Sequence, residues 1–294
     1  MSEIEQSYDI QHNAGLLNYT NTCFMNASIQ MLMCMRCLGD ALIRNIEMFE
    51  NSDMIKYART YRDYMSNKTK ILGPRMLYNR YMKLNMNYRG FSQEDSHEFL
   101  TFTFDDMIEQ TKALENPILN KMLDDSFSIK MNQKVTYPDG KESVTAVSEN
   151  ILTLPIDDSN IMVECLKKYM DQKLDDGIRL QFQFQQFPEY LIIGLKRFTA
   201  TQNQIRKNIK QMSVNFTVEI SSNRYHLIGF IVHSGGVLGG HYYTCAMRHH
   251  DGEAKWYMYN DSNVTEISDA QVKTEASNAY VFLYSCVDTR FINK

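Results

Sequence analysis

A cysteine at the head of a helix and a histidine at the head of a strand are the two side chains whose types and places could together do nucleophilic chemistry. In Gly15-Leu16-Leu17-Asn18-Tyr19-Thr20-Asn21-Thr22-Cys23-Phe24-Met25-Asn26 a loop rich in cap-forming residues runs into a helical pattern at Cys23. The partial positive charge of a helix N-terminus favours thiolate over thiol, and the thiolate is the reactive form. Asn18, five residues earlier on the loop, offers an amide donor that could help the backbone N–H of Cys23 hold a developing oxyanion. An isolated cysteine in such a place is more often a small buried apolar residue, so a partner must change the weighing.

That partner lies far downstream. His233-Ser234-Gly235-Gly236-Val237-Leu238-Gly239-Gly240-His241-Tyr242-Tyr243 leads from one strand through a glycine-rich loop into another. Glycines permit backbone shapes that other residues resist and leave room for a second backbone to pass close by. His241 would stand at the loop's edge, where a general base for Cys23 belongs, while His233 reads as loop support. Next, Lys255-Trp256-Tyr257-Met258-Tyr259-Asn260-Asp261-Ser262-Asn263-Val264 is a strand ending in a polar turn. Either Asn260 or Asp261 could accept from the imidazole's other N–H and hold it in the useful tautomer.

The elements that must position these groups change character along the chain. Up to about Lys112 the pattern is mainly helical: Met25, Ile29, Leu32 and Met33 follow helical spacing, as do Leu100, Phe104, Met107 and Ile108. Ser92 with Asp95 three positions later resembles a capping box and predicts the start of the second of these helices. After Leu123 the pattern turns to strands. Pro138-Asp139-Gly140 reads as a hairpin turn, Leu180, Phe182 and Phe184 alternate with Gln, and Tyr190–Leu195 reads as a more buried strand. Further strands are expected at Tyr225–His233, His241–Met247, Lys255–Tyr259 and Ala279–Cys286. Helices first and an antiparallel sheet afterwards make an α+β protein.

Composition sets the outer limits. Hydrophobic residues make up 44% of the 294 and charged residues 22%, which supports a large core without metals or disulfides. A formal net charge of −4 with scattered Lys and Arg gives no footprint for nucleic acid. The start of the chain is polar and acidic, unlike a secretory signal, and the longest apolar stretches are too short to span a bilayer, so neither membrane nor secretion is expected. Six cysteines make no disulfide framework in a chain of this size. Asn18, Asn26, Asn67, Asn215 and Asn263 begin glycan-type triplets, two of them beside Cys23, where a glycan would block a cleft. A cytosolic or nuclear monomer is the expectation.

At this point the chain resembles the ubiquitin-specific proteases. The Cys23 segment is similar to their Cys box, Gly-Leu-x-Asn-x-Gly-Asn-Thr-Cys-Tyr/Phe-Met-Asn, and Gly239-Gly240-His241-Tyr242 with Trp256 to Val264 is similar to their His box. Gln93-Glu94-Asp95-Ser96-His97-Glu98-Phe99-Leu100 resembles the Gln-x-Asp-Ala-x-Glu-Phe-Leu helix, and Leu195-Lys196-Arg197-Phe198 the Leu-Lys-Arg-Phe strand. Four separated motifs in order span Gly15 to Tyr284.

The resemblance implies a papain-like fold with a helical thumb at about 15–115, and β fingers and palm at about 116–286, between an extension at 1–14 and a tail at 287–294. It implies hydrolysis of the bond after ubiquitin's C-terminal glycine, with ubiquitin and ubiquitinated proteins as partners and no cofactor. Carried over by position, Cys23 is the nucleophile, His241 the base, Asn18 the oxyanion donor and Asn260 the third member, with Asp261 beside it. Asp95, Gln93, Phe198, Gly239, Gly240 and Tyr242 are the expected substrate contacts; Asp95 could equally be a helix-start carboxylate. Glycines 235, 236, 239 and 240 would leave a channel that only a terminus without side chains can thread.

Two departures qualify the match. Thr20 replaces the usual Gly before Asn-Thr-Cys, where a β-branched residue would strain any backbone with positive φ. Between Leu123 and Phe187 Cys165 is alone, so the four-cysteine zinc site of many relatives cannot form, and Cys34-x-x-Cys37, placed on the helix after Cys23, reads as buried thiols. A non-catalytic ubiquitin-binding scaffold, or the same chemistry on another ubiquitin-like modifier, are the alternatives.

Overall fold

The computed structural model describes residues 13–66, 69–86, 88, 90–156, 158–201, 204–237, 239–250 and 253–287. Of the sequence-based readings, those at residues 1–12 and 288–294, at Asn67 and at Leu238 lie outside the described residues. The chain divides into two compact units, residues 1–115 with 241–272, and residues 116–240 with 273–294.

The first unit joins helices Cys23–Leu32, Arg36–Arg44, Met54–Met65, Arg75–Leu84 and Ser96–Ala113 to an antiparallel run of strands, Gly240–His250 from its second residue on, Glu253–Asn260 and Asn263–Ile267. Every residue of helix Cys23–Leu32 is buried, so the spacing of Met25, Ile29 and Leu32 marks only part of a helix that is covered all round. Phe24 lies 5.9 Å from the ring of Phe99, 5.9 Å from Tyr81 and 5.8 Å from Tyr88. Ser28 donates to the Ser96 carbonyl at 3.2 Å, and on the strand side Thr244 donates to the Ala27 carbonyl at 2.6 Å.

Arg248, 3% exposed on strand Gly240–His250, closes the far end of this helix. Its Nη2 donates to the Gln30 carbonyl at 2.8 Å, its Nη1 to Cys34 Sγ at 2.7 Å, and its guanidinium lies 5.0 Å from the centre of the Tyr259 ring. A cation at a helix C-terminus complements the carbonyls that have no partner within the helix. Burial pushes the Cys34 thiol up, against the pull of Arg248. The pair read as two buried thiols on one helix is therefore corrected: helix Cys23–Leu32 ends before both, and Cys37 is exposed on helix Arg36–Arg44.

The long helix also starts later than Ser92 suggests. It begins at Ser96, and the Asp95 carboxylate caps it by accepting from His97 N at 2.7 Å. Phe99, Leu100, Thr103, Phe104, Asp106 and Met107 are its buried face, and Ile108 is half-buried at the edge. Asp106 meets Arg80 there: Arg80 Nε donates to Asp106 Oδ2 at 2.9 Å, Nη2 to Oδ1, and Nη1 to Asp53, while Tyr57 donates to Oδ2.

Near the head of the chain, strand Gly15–Leu16 pairs in parallel with Ile71–Leu72 and abuts the turn at Asp261 and Ser262. Leu16 N donates to the Asp261 carbonyl at 2.8 Å, and a Cβ on Gly15 would stand 2.4 Å from the Ser262 carbonyl oxygen. Because the obstacle is backbone, Gly15→Ala is expected to cost about 1–3 kcal/mol of stability through overpacking. A urea midpoint equal to that of the parent would show that this contact relaxes freely.

The second unit opens with helix Pro117–Phe127, capped by Asn116 Oδ1 accepting from Ile118 N at 3.0 Å and Leu119 N at 3.3 Å. Strand Ile129–Thr136 then pairs with Glu142–Glu149 across the expected turn, where Gly140 takes a φ of 82°, and with Arg179–Gln186 on its other side. A second sheet is built on Tyr190–Leu195, fully buried as its sequence suggests. It takes Leu152–Leu154 in parallel on one edge and Ala279–Cys286 antiparallel on the other, followed by Asn223–Gly235. Arg197, read as part of a family motif, is 2% exposed and spends its donors on the carbonyls of Ala279, Ser277, Lys210 and Asn208 at 2.8–3.2 Å. Burial pulls its pKa down to about 10. Among the described residues, no helix is long and apolar enough to cross a membrane, and no three His, Cys, Asp or Glu side chains stand together as a metal site.

Candidate active site

Residues more than two hundred positions apart in sequence meet in the first unit. Cys23 is the first residue of its helix and is 3% exposed. The backbone N–H groups of Tyr242, the residue after His241, and of the helix head face its sulfur. These donors pull the thiol's pKa down, as expected at a helix head. Burial outweighs them, the charge of Asp261 adds to it, and the thiol is pushed above its ordinary value. The donors at the helix head act in the direction the sequence leads one to expect, and burial acts against them.

A raised pKa moves ionisation to higher pH, so the neutral thiol dominates at neutrality. Alkylation of Cys23 by iodoacetamide is therefore expected to accelerate through the ordinary thiol value of 9.0. Mass spectrometry of the labelled peptide across pH measures this, and a plateau already reached near neutrality would contradict it.

His241 follows the first residue of strand Gly240–His250. Its Nε2 lies 2.6 Å from Asn260 Oδ1 and 3.9 Å from Asp261 Oδ2. Between the two candidates for orienting the imidazole, the structure puts Asn260 in hydrogen-bond contact and Asp261 outside it. Asn260 Oδ1 can only accept, so Nε2 carries the hydrogen and Nδ1 keeps a lone pair that can take a proton.

Asp261 is engaged elsewhere. It holds a left-handed φ of 51° in the turn after strand Glu253–Asn260, and its carboxylate accepts from Asn18 Nδ2 at 2.9 Å and from Asn26 Nδ2 at 2.7 Å. Asn18 is fixed at its other end as well, where Oδ1 accepts from Thr22 N at 3.0 Å and Thr22 Oγ1 at 3.1 Å. The amide thus stands on the loop just ahead of Cys23 in one orientation. Thr20 is relieved of the strain expected of it: its neighbour Asn21 takes the left-handed conformation, at φ 46°, and donates to the Phe91 carbonyl at 2.8 Å, while Thr20 Oγ1 donates to the Gly90 carbonyl.

Asp95 serves as the helix cap, and Tyr242 OH approaches its Oδ2 at 3.4 Å. Burial and that carboxylate push the Tyr242 phenol far up. Gln93 is exposed two residues before the cap. Phe198, Gly239 and Gly240 belong to the second unit. There the Phe198 ring stands edge-on to His233 at 5.3 Å, and a Cβ on Gly240 would fall 2.2 Å from His233 Nε2, so His233 supports the glycine-rich loop as read.

Asn26 is the participant that the sequence reading missed. It entered only as the last letter of a motif and the head of a glycan-type triplet, although a polar residue among the apolar Phe24, Met25, Ala27 and Ile29 is a signal that it serves something. It is 2% exposed, too buried to carry a glycan.

The parts suit thiol acyl transfer: a sulfur at a helix head, an imidazole with a free ring nitrogen, and an amide fixed beside them. A family model described as ubiquitin carboxyl-terminal hydrolase matches residues 14–284. Human ubiquitin carboxyl-terminal hydrolase 2 is 26% identical over 95% of this chain and 56% of its own length. Ubiquitin carboxyl-terminal hydrolase 4 of Arabidopsis thaliana is 23% identical over 94% of each chain. The chain spans about half the length of the human relative. Among solved structures, a SAGA DUB module bound to ubiquitin aldehyde is similar with a TM-score of 0.78, at 23% identity, over 94% of this chain and 70% of that one. At that identity the likeness shows the fold, which is the α+β fold expected.

Proposed function

The chain belongs to the ubiquitin carboxyl-terminal hydrolase family, and we propose that it is a thiol-dependent deubiquitinase that cuts the amide or isopeptide bond after ubiquitin's C-terminal glycine. The observation that carries the reading is His241 Nε2 held at 2.6 Å by Asn260, whose neighbour Asp261 is bonded to both the loop and the helix that carry Cys23.

On this reading, His241 Nδ1 takes the Cys23 proton as the sulfur attacks the glycine carbonyl, so the thiol need not be ionised beforehand. The carbonyl oxygen becomes an oxyanion held by the second N–H of the Asn18 amide and by backbone N–H at the helix head. The imidazolium returns its proton to the leaving amine, the C–N bond breaks and a thioester remains. Water, deprotonated by His241, attacks that thioester and releases the glycine carboxylate and the Cys23 thiol. Thr20, the one departure that favours a scaffold without chemistry, does not stand at a positive φ, which supports the reading. Six cysteines outside disulfides suit a reducing compartment.

A ubiquitin C-terminal fluorogenic amide tests the reading against Cys23→Ala. Turnover by the parent and none by the variant is expected; no turnover by the parent, or equal rates, would remove it. Electrophilic probes built on ubiquitin and on its relatives compare the modifiers directly, and preferential capture of another modifier would replace the substrate named here.

A further inference from the structure

We infer that Asn26 is a positioning residue for this chemistry: from the buried helix it pins the Asp261 carboxylate, and through it both the Asn18 amide and the turn that presents Asn260 to His241. The inference rests on the hydrolase reading above. Asn26 comes one helical turn after Cys23, so its side chain leaves the same face of the helix as the sulfur. Its Nδ2 donates to Asp261 Oδ1 at 2.7 Å and reaches the carbonyls of Leu17 at 3.2 Å and Leu16 at 3.4 Å. One amide therefore ties the loop before Cys23 to the turn after the Asn260 strand.

The geometry at Asp261 explains what the tie does. With Oδ1 committed to Asn26, Oδ2 is left facing Asn18 Nδ2 at 2.9 Å and His241 Nε2 at 3.9 Å. Leu16 N holds the Asp261 carbonyl at 2.8 Å, so the left-handed residue is fixed at backbone and side chain together. His241 Nε2 then gives its hydrogen to Asn260 Oδ1 at 2.6 Å, and the Asp261 carboxylate charge, 3.9 Å away and out of hydrogen-bond contact, favours the hydrogen on that nitrogen and leaves Nδ1 free. The side-chain hydrogen bonds of Asn26 go to Leu16, Leu17 and Asp261, so its effect on the imidazole passes through Asp261.

The test uses the full chain. Asn26→Leu keeps the volume and cannot donate; Asn26→Asp keeps the shape and sets carboxylate against carboxylate. With the fluorogenic ubiquitin amide, both are expected to lower kcat about 100-fold by misplacing the catalytic groups, with KM within about threefold of the parent. In an Asp261→Ala background, Asn26→Leu should add less than about twofold, since the two residues act as one unit. The ring 15N shifts of His241 give a readout that needs no turnover: the Nε2–H tautomer in the parent, a mixture of tautomers in Asn26→Leu.

Folded variants with parental kcat and unmoved His241 shifts would overturn the inference, as would full additivity in the double variant. A parent without turnover whose His241 shifts still respond to Asn26→Leu would leave Asn26 as the positioning residue and remove the hydrolase reading instead. Should the helix not tolerate either change at Asn26, Asp261→Ala removes the same hydrogen bond from the turn and must mix the tautomers; parental shifts there would also overturn it.

Discussion

His241→Ala is expected to lower kcat on the fluorogenic ubiquitin amide by about 10⁴-fold or more, the scale seen when the base of a nucleophile–base pair is removed. The burial of Cys23, which raises its pKa, makes the dependence steep. A thiol already ionised could attack without help, whereas one pushed up by burial must lose its proton as it attacks, and His241 Nδ1 is the acceptor that the Asn260 contact leaves open. The affinity for ubiquitin should stay within about threefold, because the imidazole acts on the reacting atoms rather than on the bound body of the substrate. Stopped-flow kinetics with the amide and calorimetric titration with ubiquitin measure the two quantities. A fall in kcat smaller than about 100-fold would mean that His241 contributes no more than general electrostatics.

The largest effect on stability is expected at Arg80→Met. Arg80 and Asp106 are 5% and 4% exposed, and the substitution strips a buried carboxylate of its guanidinium while Tyr57 remains as one donor. Breaking a buried pair from one side costs about 3–5 kcal/mol. The double variant Arg80→Met with Asp106→Leu should recover most of that loss, because no uncompensated charge is left behind. Urea unfolding of the single and double variants reads both. A loss below about 1 kcal/mol in the single variant would place the pair among solvated surface bridges instead.

What the sequence disclosed follows from what each signal encodes. The Cys23 helix head, the strand that carries His241 near its start and the hairpin at Pro138-Asp139-Gly140 are legible because caps, glycines and turn residues record backbone geometry locally. The sequence sets the cap of the helix beginning at Ser96 three residues early because Ser92 offers the same cap chemistry as Asp95, and only the backbone decides which oxygen meets an N–H. Asn260 and Asp261 could not be separated by their types, since both can accept; the left-handed φ at Asp261 turns its carboxylate toward Asn18 and Asn26. Burial was the least legible quantity. Cys23 is drier and Cys37 wetter than their neighbours in sequence imply, and Arg80, Arg197 and Arg248 are buried charges that no periodicity announces.

The complete enclosure of helix Cys23–Leu32 sets where motion can enter. Amides bonded along a segment with no solvent-facing side must wait for the whole unit to open before they trade hydrogen for deuterium, so those from Asn26 to Leu32 belong to the slowest-exchanging set. The sulfur therefore rides on a carrier that cannot melt by itself. Any switching of reactivity by local order has to act on the segments flanking that carrier, which makes the backbone from Leu17 to Thr22 and the turn at Asp261 the places to look for slow exchange between conformers.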